Sequence, residues 1–167
     1  MVSPMDETVD ATDEVWRALE GVPDPEIPVL SLVDLGIVRR VQVTDGGVEI
    51  DLTPTFSGCP ALDVMIEDVR RAVEDLGYRT IQIQTVLSPA WTTDDLSDEA
   101  KAKLRQFGLS PPPAHGGHLE LVLALPAECP YCGSRETVRK NDFGSTLCRS
   151  IHVCQACRQP FEAFKPL

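Results

Sequence analysis

Ile37-Val38-Arg39-Arg40-Val41-Gln42-Val43-Thr44-Asp45-Gly46-Gly47-Val48-Glu49-Ile50-Asp51-Leu52-Thr53-Pro54 reads as a β-hairpin. Val48, Ile50 and Leu52 alternate with Glu49 and Asp51, so one face is apolar and the other charged. Asp45-Gly46-Gly47 supplies the turn. Upstream, the three prolines of Val22-Pro23-Asp24-Pro25-Glu26-Ile27-Pro28 forbid regular structure. Before them, Asp13 to Glu20 reads as a helix, with Thr12 as cap, Asp13 and Glu14 on its positive end and Gly21 as stop. Downstream, Leu62, Met65, Ile66, Val69, Val73 and Leu76 form one apolar stripe, which predicts a helix from Pro60 to Leu76 ended by Gly77. A strand is expected over Thr80 to Leu87. A third helix follows from Asp98 to Phe107, with Ser97 or Asp95 as cap and Gly108 as stop. The order αββαβα describes a small α+β domain over residues 12–110.

Residues 111–117, three prolines followed by Ala114-His115-Gly116-Gly117, read as a stiff linker that can still turn. Leu119, Leu121, Leu123 and Leu125 alternate as one more strand, opening a second, β-rich module over residues 118–167. Two modules so joined are expected to unfold separately.

Of the 167 residues 43 % are apolar, enough for a compact core. No apolar run approaches the roughly 18 residues that span a bilayer. Met1 to Asp13 is acidic and lacks the basic and apolar regions of a signal peptide, so the expectation is a soluble, cytoplasmic protein without a membrane partner. The net charge of −11 lies in the front part, where residues 1–110 carry 21 acidic against 9 basic residues. Such a surface repels phosphate backbones and argues against nucleic acid as a partner.

Five of the six cysteines fall in the last 39 positions. Cys129-Pro130-Tyr131-Cys132 and Cys154-Gln155-Ala156-Cys157 are two C-x2-C pairs separated by 21 residues. Each pair aims two thiolates at one centre, and two pairs complete a tetrahedron suited to a structural zinc, one per chain. The ion also supplies folding energy to a module too small to bury much core. A mononuclear iron of rubredoxin type is the chemical alternative. Cys-Pro-Tyr-Cys is also a glutaredoxin tetrapeptide, but Gly133-Ser134 follows it where a redox helix would have to begin. Cys148 is open between a buried apolar residue and a thiol for metal or disulfide chemistry. His115, His118 and His152 read as surface or packing residues.

Cys59, in Thr53-Pro54-Thr55-Phe56-Ser57-Gly58-Cys59-Pro60, sits at the predicted start of the second helix. Free N–H groups and the helix dipole would favour its thiolate there, and a half-buried structural cysteine is the other reading.

Asp24-Pro25-Glu26-Ile27-Pro28, Asp34-Leu35-Gly36 and Ser57-Gly58-Cys59-Pro60 together resemble the iron–sulfur cluster assembly domain of SufT-like proteins, over roughly residues 12–110. The wider family has Ser-Pro-Gly-Cys-Pro where this chain has Phe56-Ser57-Gly58-Cys59-Pro60. That departure, with Phe143-Gly144-Ser145-Thr146-Leu147-Cys148 and Cys157-Arg158-Gln159-Pro160-Phe161-Glu162 in the tail, resembles the PaaD family, the D component of bacterial phenylacetyl-CoA epoxidase. The resemblance implies the αββαβα fold, a role in aerobic phenylacetate catabolism, and the oxygenase and iron–sulfur reductase subunits as partners. It implies an accessory or maturation factor that helps install iron or an iron–sulfur cluster. Cys59 would be the transient ligand, with Asp24 and Glu26 beside it.

No catalytic residue is expected. The sequence holds no Glu-x-x-His pair of a di-iron helix, no Gly-rich dinucleotide loop and no Ser/His/Asp arrangement. A stable docking subunit without metal transfer is the main competing reading, followed by a thiol redox enzyme and a nucleic-acid-binding ribbon.

Overall fold

The computed structural model describes residues 10–119 and 125–167. Helix α1 runs over Ala11–Glu20 and buries Val15 and Leu19. Its cap is Asp10, whose carboxylate accepts from the Thr12 N–H at 3.2 Å, so the helix starts two residues before the expected point. Strands β1 (Val38–Thr44) and β2 (Gly47–Leu52) are antiparallel, with Val41 opposite Ile50 and Thr44 opposite Gly47. Strand β3 (Ile81–Thr85) lies parallel to β2 on its other side, so β2 is the central strand. Its alternation is realised: Val48, Ile50 and Leu52 are buried. Helix α2 (Leu62–Asp75) sets Met65, Val69 and Val73 into the same core. It begins at Leu62 and not at Pro60, because the chain is still turning through Cys59-Pro60-Ala61. After a short 3-10 turn at Thr93–Asp95, helix α3 (Asp98–Gln106) is capped by Ser97, which accepts from the Ala100 N–H at 3.0 Å. The αββαβα order stands.

The loop between β1 and β2 is shorter than its sequence suggests. Gly47 belongs to β2 at φ 136°, where the Val48 N–H donates to the Thr80 carbonyl at 2.9 Å. A Cβ on Gly47 would lie 2.1 Å from that carbonyl oxygen. Gly47→Ala must therefore either push β3 away or leave the left-handed region, and we expect a loss of about 3 kcal/mol. Urea unfolding measures it; a midpoint equal to that of the parent chain would contradict the close approach.

Strand β4 (Leu109–Ser110) joins β5 (Thr137–Asn141), β6 (Arg149–Cys154) and β7 (Pro160–Phe164) in a second sheet, ordered β4-β7-β6-β5. β4 is parallel to β7, with Leu109 opposite Glu162, and the other pairs are antiparallel. The strand expected over Leu119 to Leu125 falls largely outside the described residues.

The two parts are not independent, contrary to the expectation of separate unfolding. β4 precedes the linker yet belongs to the tail's sheet. Phe164 of the tail is buried in the front core, its ring 6.0 Å from that of Trp91. The Thr93 N–H donates to the Leu167 carbonyl at 3.1 Å. The linker is itself tied down, because Asp94 accepts from the N–H groups of His115 and Gly116, each at 2.8 Å. Proline stiffness alone is a poor guide to independence: a rigid connection can also hold two surfaces together.

Candidate metal centre

Two short turns build the centre, and they repeat one hydrogen-bond pattern. In the first, the Gly133 N–H donates to the Cys129 carbonyl at 2.9 Å and the Cys129 N–H to the Ser134 carbonyl at 2.9 Å. In the second, at the end of β6, the Arg158 N–H donates to the Cys154 carbonyl at 3.0 Å and the Cys154 N–H to the Gln159 carbonyl at 3.0 Å. The fourth residue after each leading cysteine has positive φ, 72° at Gly133 and 65° at Arg158. Glycine adopts this conformation without cost, whereas Arg158 is held in it by the turn. The Gln155 N–H, donating to the Glu136 carbonyl at 2.7 Å, ties the second turn to the strand that leaves the first.

The four Sγ atoms of Cys129, Cys132, Cys154 and Cys157 lie within 4.8 Å of one another. The two short contacts both cross between the turns: Cys129 to Cys157 at 3.7 Å and Cys132 to Cys154 at 3.6 Å. A disulfide needs about 2.05 Å. A tetrahedral ion with metal–sulfur bonds near 2.3 Å sets its ligands about 3.8 Å apart, so the donor set fits a four-coordinate metal. Burial is graded, with Cys129 and Cys154 inside and Cys132 exposed. The Cys157 N–H points at the Cys154 sulfur at 3.5 Å and is the main reason that this thiol is lowered to about 7. Phe161 and Ala163 close the centre from below. His152 is not among the clustered donors. It stacks on Phe161 at 5.5 Å with Nε2 2.9 Å from the Ser150 hydroxyl, and burial foremost lowers its pKa, so the packing reading holds.

Cys148 does not join these four. It lies at the other end of β6, facing the front domain. Next to it, Arg149 is buried; its guanidinium donates to the Glu26 carbonyl and pairs with Glu162 at 3.0 Å. The loop it meets is shaped by Asp24, whose Oδ1 accepts from the Glu26 N–H at 2.9 Å and the Ile27 N–H at 2.7 Å. Burial raises the Asp24 carboxyl above the ordinary range despite those two donors and the Arg149 charge. Glu26 is raised as well, by burial and then by Asp24.

Cys59 completes this neighbourhood, with a correction to the sequence reading. The helix starts three residues beyond it, and Cys59 is half-buried. Burial pushes its thiol up; the Ala61 N–H opposes, while the charges of Glu26, Asp24 and Cys148 push it further. A resting thiolate is therefore disfavoured, because desolvation and neighbouring carboxylates outweigh the helix dipole. Cys148 is raised too, by burial first and also by Glu26. Sequence reasoning brings Asp24, Glu26 and Cys59 together but misses Arg149. Its one signal is a lone arginine beside Cys148 at the start of an apolar strand.

Among the described residues no helix is long and apolar enough to cross a membrane. Residues 12–84 match the family model of the iron–sulfur cluster assembly protein, and residues 117–165 that of the PaaD zinc beta ribbon domain. The chain is 44 % identical to an Escherichia coli protein named as the D component of 1,2-phenylacetyl-CoA epoxidase, over 91 % of each chain. It is 40 % identical to an Fe-S protein maturation auxiliary factor of Porphyromonas gingivalis, over 59 % of this chain and 94 % of that one. A domain of unknown function, DUF59, from Bacillus anthracis superposes with a TM-score of 0.53 at 28 % identity, covering 56 % of this chain and 90 % of that one. With an assembly-type α+β domain in front and a four-cysteine ribbon behind, the chain belongs to the PaaD family of phenylacetyl-CoA epoxidase components.

Proposed function

We propose that this protein is an accessory factor that helps deliver iron or an iron–sulfur cluster to the oxygenase or reductase subunits of a phenylacetyl-CoA epoxidase in the cytoplasm. The observation that carries the proposal is the convergence of Cys59, Asp24 and Glu26 in a chain related to iron–sulfur maturation factors. A carrier must release its cargo. Thiols held protonated by burial and by adjacent carboxylates bind metal less firmly than resident thiolate ligands do, because each must first lose its proton. Cys59 would be the transient ligand, with Asp24 and Glu26 alongside. Zinc would be the resident ion of Cys129, Cys132, Cys154 and Cys157, and would hold the tail folded without taking part in transfer. Residues 12–110 would act as the assembly domain and 118–167 as the zinc module, across the 111–117 linker.

The test is to purify the oxygenase and reductase subunits anaerobically from cells with and without this chain. We expect their iron content to fall several-fold without it, while the proteins stay abundant. Fully metallated partners, with this chain co-purifying in stoichiometric amount, would favour the stable docking subunit.

A further inference from the structure

We propose that Cys148 supplies from the tail a second thiolate to the transient site built on Cys59, so that ferrous iron is held across the junction of the two modules. The inference rests on the transfer reading above and goes beyond it by naming a ligand from outside the assembly domain.

Three separate stretches of chain meet here: the Asp24–Ile27 loop, the Cys59 turn and the start of β6. The last is pinned from both sides. The Lys165 N–H donates to the Cys148 carbonyl at 2.9 Å, and the Arg149 guanidinium grips the Glu26 carbonyl. Cys148 thus enters the neighbourhood at a defined place, with its sulfur 3.0 Å from the Thr146 hydroxyl. Both thiols are half-buried against the front core, and neither belongs to the four-cysteine cluster.

Two polar groups at the junction lack the partners that burial demands. Asp24 is 4 % exposed, and Oδ1 alone takes up both loop N–H groups; among the described residues no donor reaches its other oxygen. Arg149 Nε is buried without a partner. Buried polar atoms left open are uncommon and point to something bound. Two thiolates and a carboxylate would give a divalent ion of borderline softness the mixed sulfur and oxygen ligands it accepts, and Arg149 would offset part of their negative charge. One thiolate with carboxylates would make a much weaker site. Cys59, Cys148, Asp24 and Glu26 do not close into a cluster as the tail cysteines do, which suits a site that fills and empties.

Cobalt(II) is the probe, because its thiolate complexes absorb in proportion to the sulfur ligands. The whole, reduced chain, with the tail filled by zinc beforehand, is titrated with cobalt. The parent chain should take up one further ion, with a thiolate-to-cobalt band. Cys148→Ser and Cys59→Ser should each about halve that band per bound cobalt and weaken binding at least about tenfold. Retention of the tail zinc and an unchanged circular dichroism spectrum would show that each variant is folded, and Cys148→Ala provides a second route if serine disturbs packing. If Cys148→Ser binds like the parent while Cys59→Ser does not, Cys148 is no ligand and the transfer reading survives without it. If the parent takes no second ion, both the inference and the transfer reading fall.

Discussion

Removing the metal from the tail, or replacing Cys154 by serine, is expected to lower the stability of the entire chain and not of the tail alone. Cys154 is fully buried at the end of β6, and β6 leads directly to Arg149 on the Glu26 carbonyl. The tail's own apolar cluster consists of little more than Cys129, Cys154, Phe161 and Ala163, too few residues to hold four strands without an ion. Structural zinc contributes on the order of 10 kcal/mol in small modules. If a third of that reaches the shared core, the front domain should melt about 10 °C lower. Trp91 reports on it, because its ring packs on Phe164 and its indole N–H donates to the Leu35 carbonyl at 2.7 Å. A strong chelator should therefore shift the tryptophan transition together with the loss of β structure. An unmoved tryptophan midpoint, with the tail melted, would mean that the contacts at Leu109, Phe164 and Leu167 carry little energy.

Replacing Cys59 by serine should have the opposite profile, with little effect on stability and a complete effect on function. The side chains are nearly the same size, and the position is half-buried and outside the helix, so we expect a change under about 1 kcal/mol. A serine hydroxyl does not ionise near neutral pH and is a poor ligand for iron, so a site built on that sulfur loses its anchor. Cells with this variant as the only copy should fail to grow on phenylacetate, and their epoxidase subunits should be short of iron. Normal growth with a folded, abundant variant would make Cys59 a structural residue.

Features that depend on neighbours in sequence are legible. Val48, Ile50 and Leu52 announce a half-buried strand by alternation alone, and the C-x2-C turns carry their geometry within a few residues. Features that depend on distant contacts are not. β4 is two residues long beside a proline, too short for any periodicity, and exists because Glu162 and Ala163 lie alongside it. Gly47 reads as a turn residue because nothing local says that Thr80 will approach it. The state of Cys59 escapes sequence reasoning on the same ground. The helix dipole is a local argument, whereas burial and the Glu26 and Asp24 charges come from the fold. Cys148 is undecided in the sequence until the contact between Arg149 and Glu26 places it.

The parallel pairing of β4 with β7 also orders events during synthesis. Everything that completes the αββαβα core, apart from Phe164, has left the ribosome before the first C-x2-C turn is made. Until β7 follows, β4 stands beside α3 as an open edge, a template waiting for its last strand. Cys154 and Cys157 come late in the same order, so the ion can be enclosed only when the sheet is about to close. Metal capture then becomes the final step of maturation, and a chain stalled before it would display an unpaired edge to its neighbours.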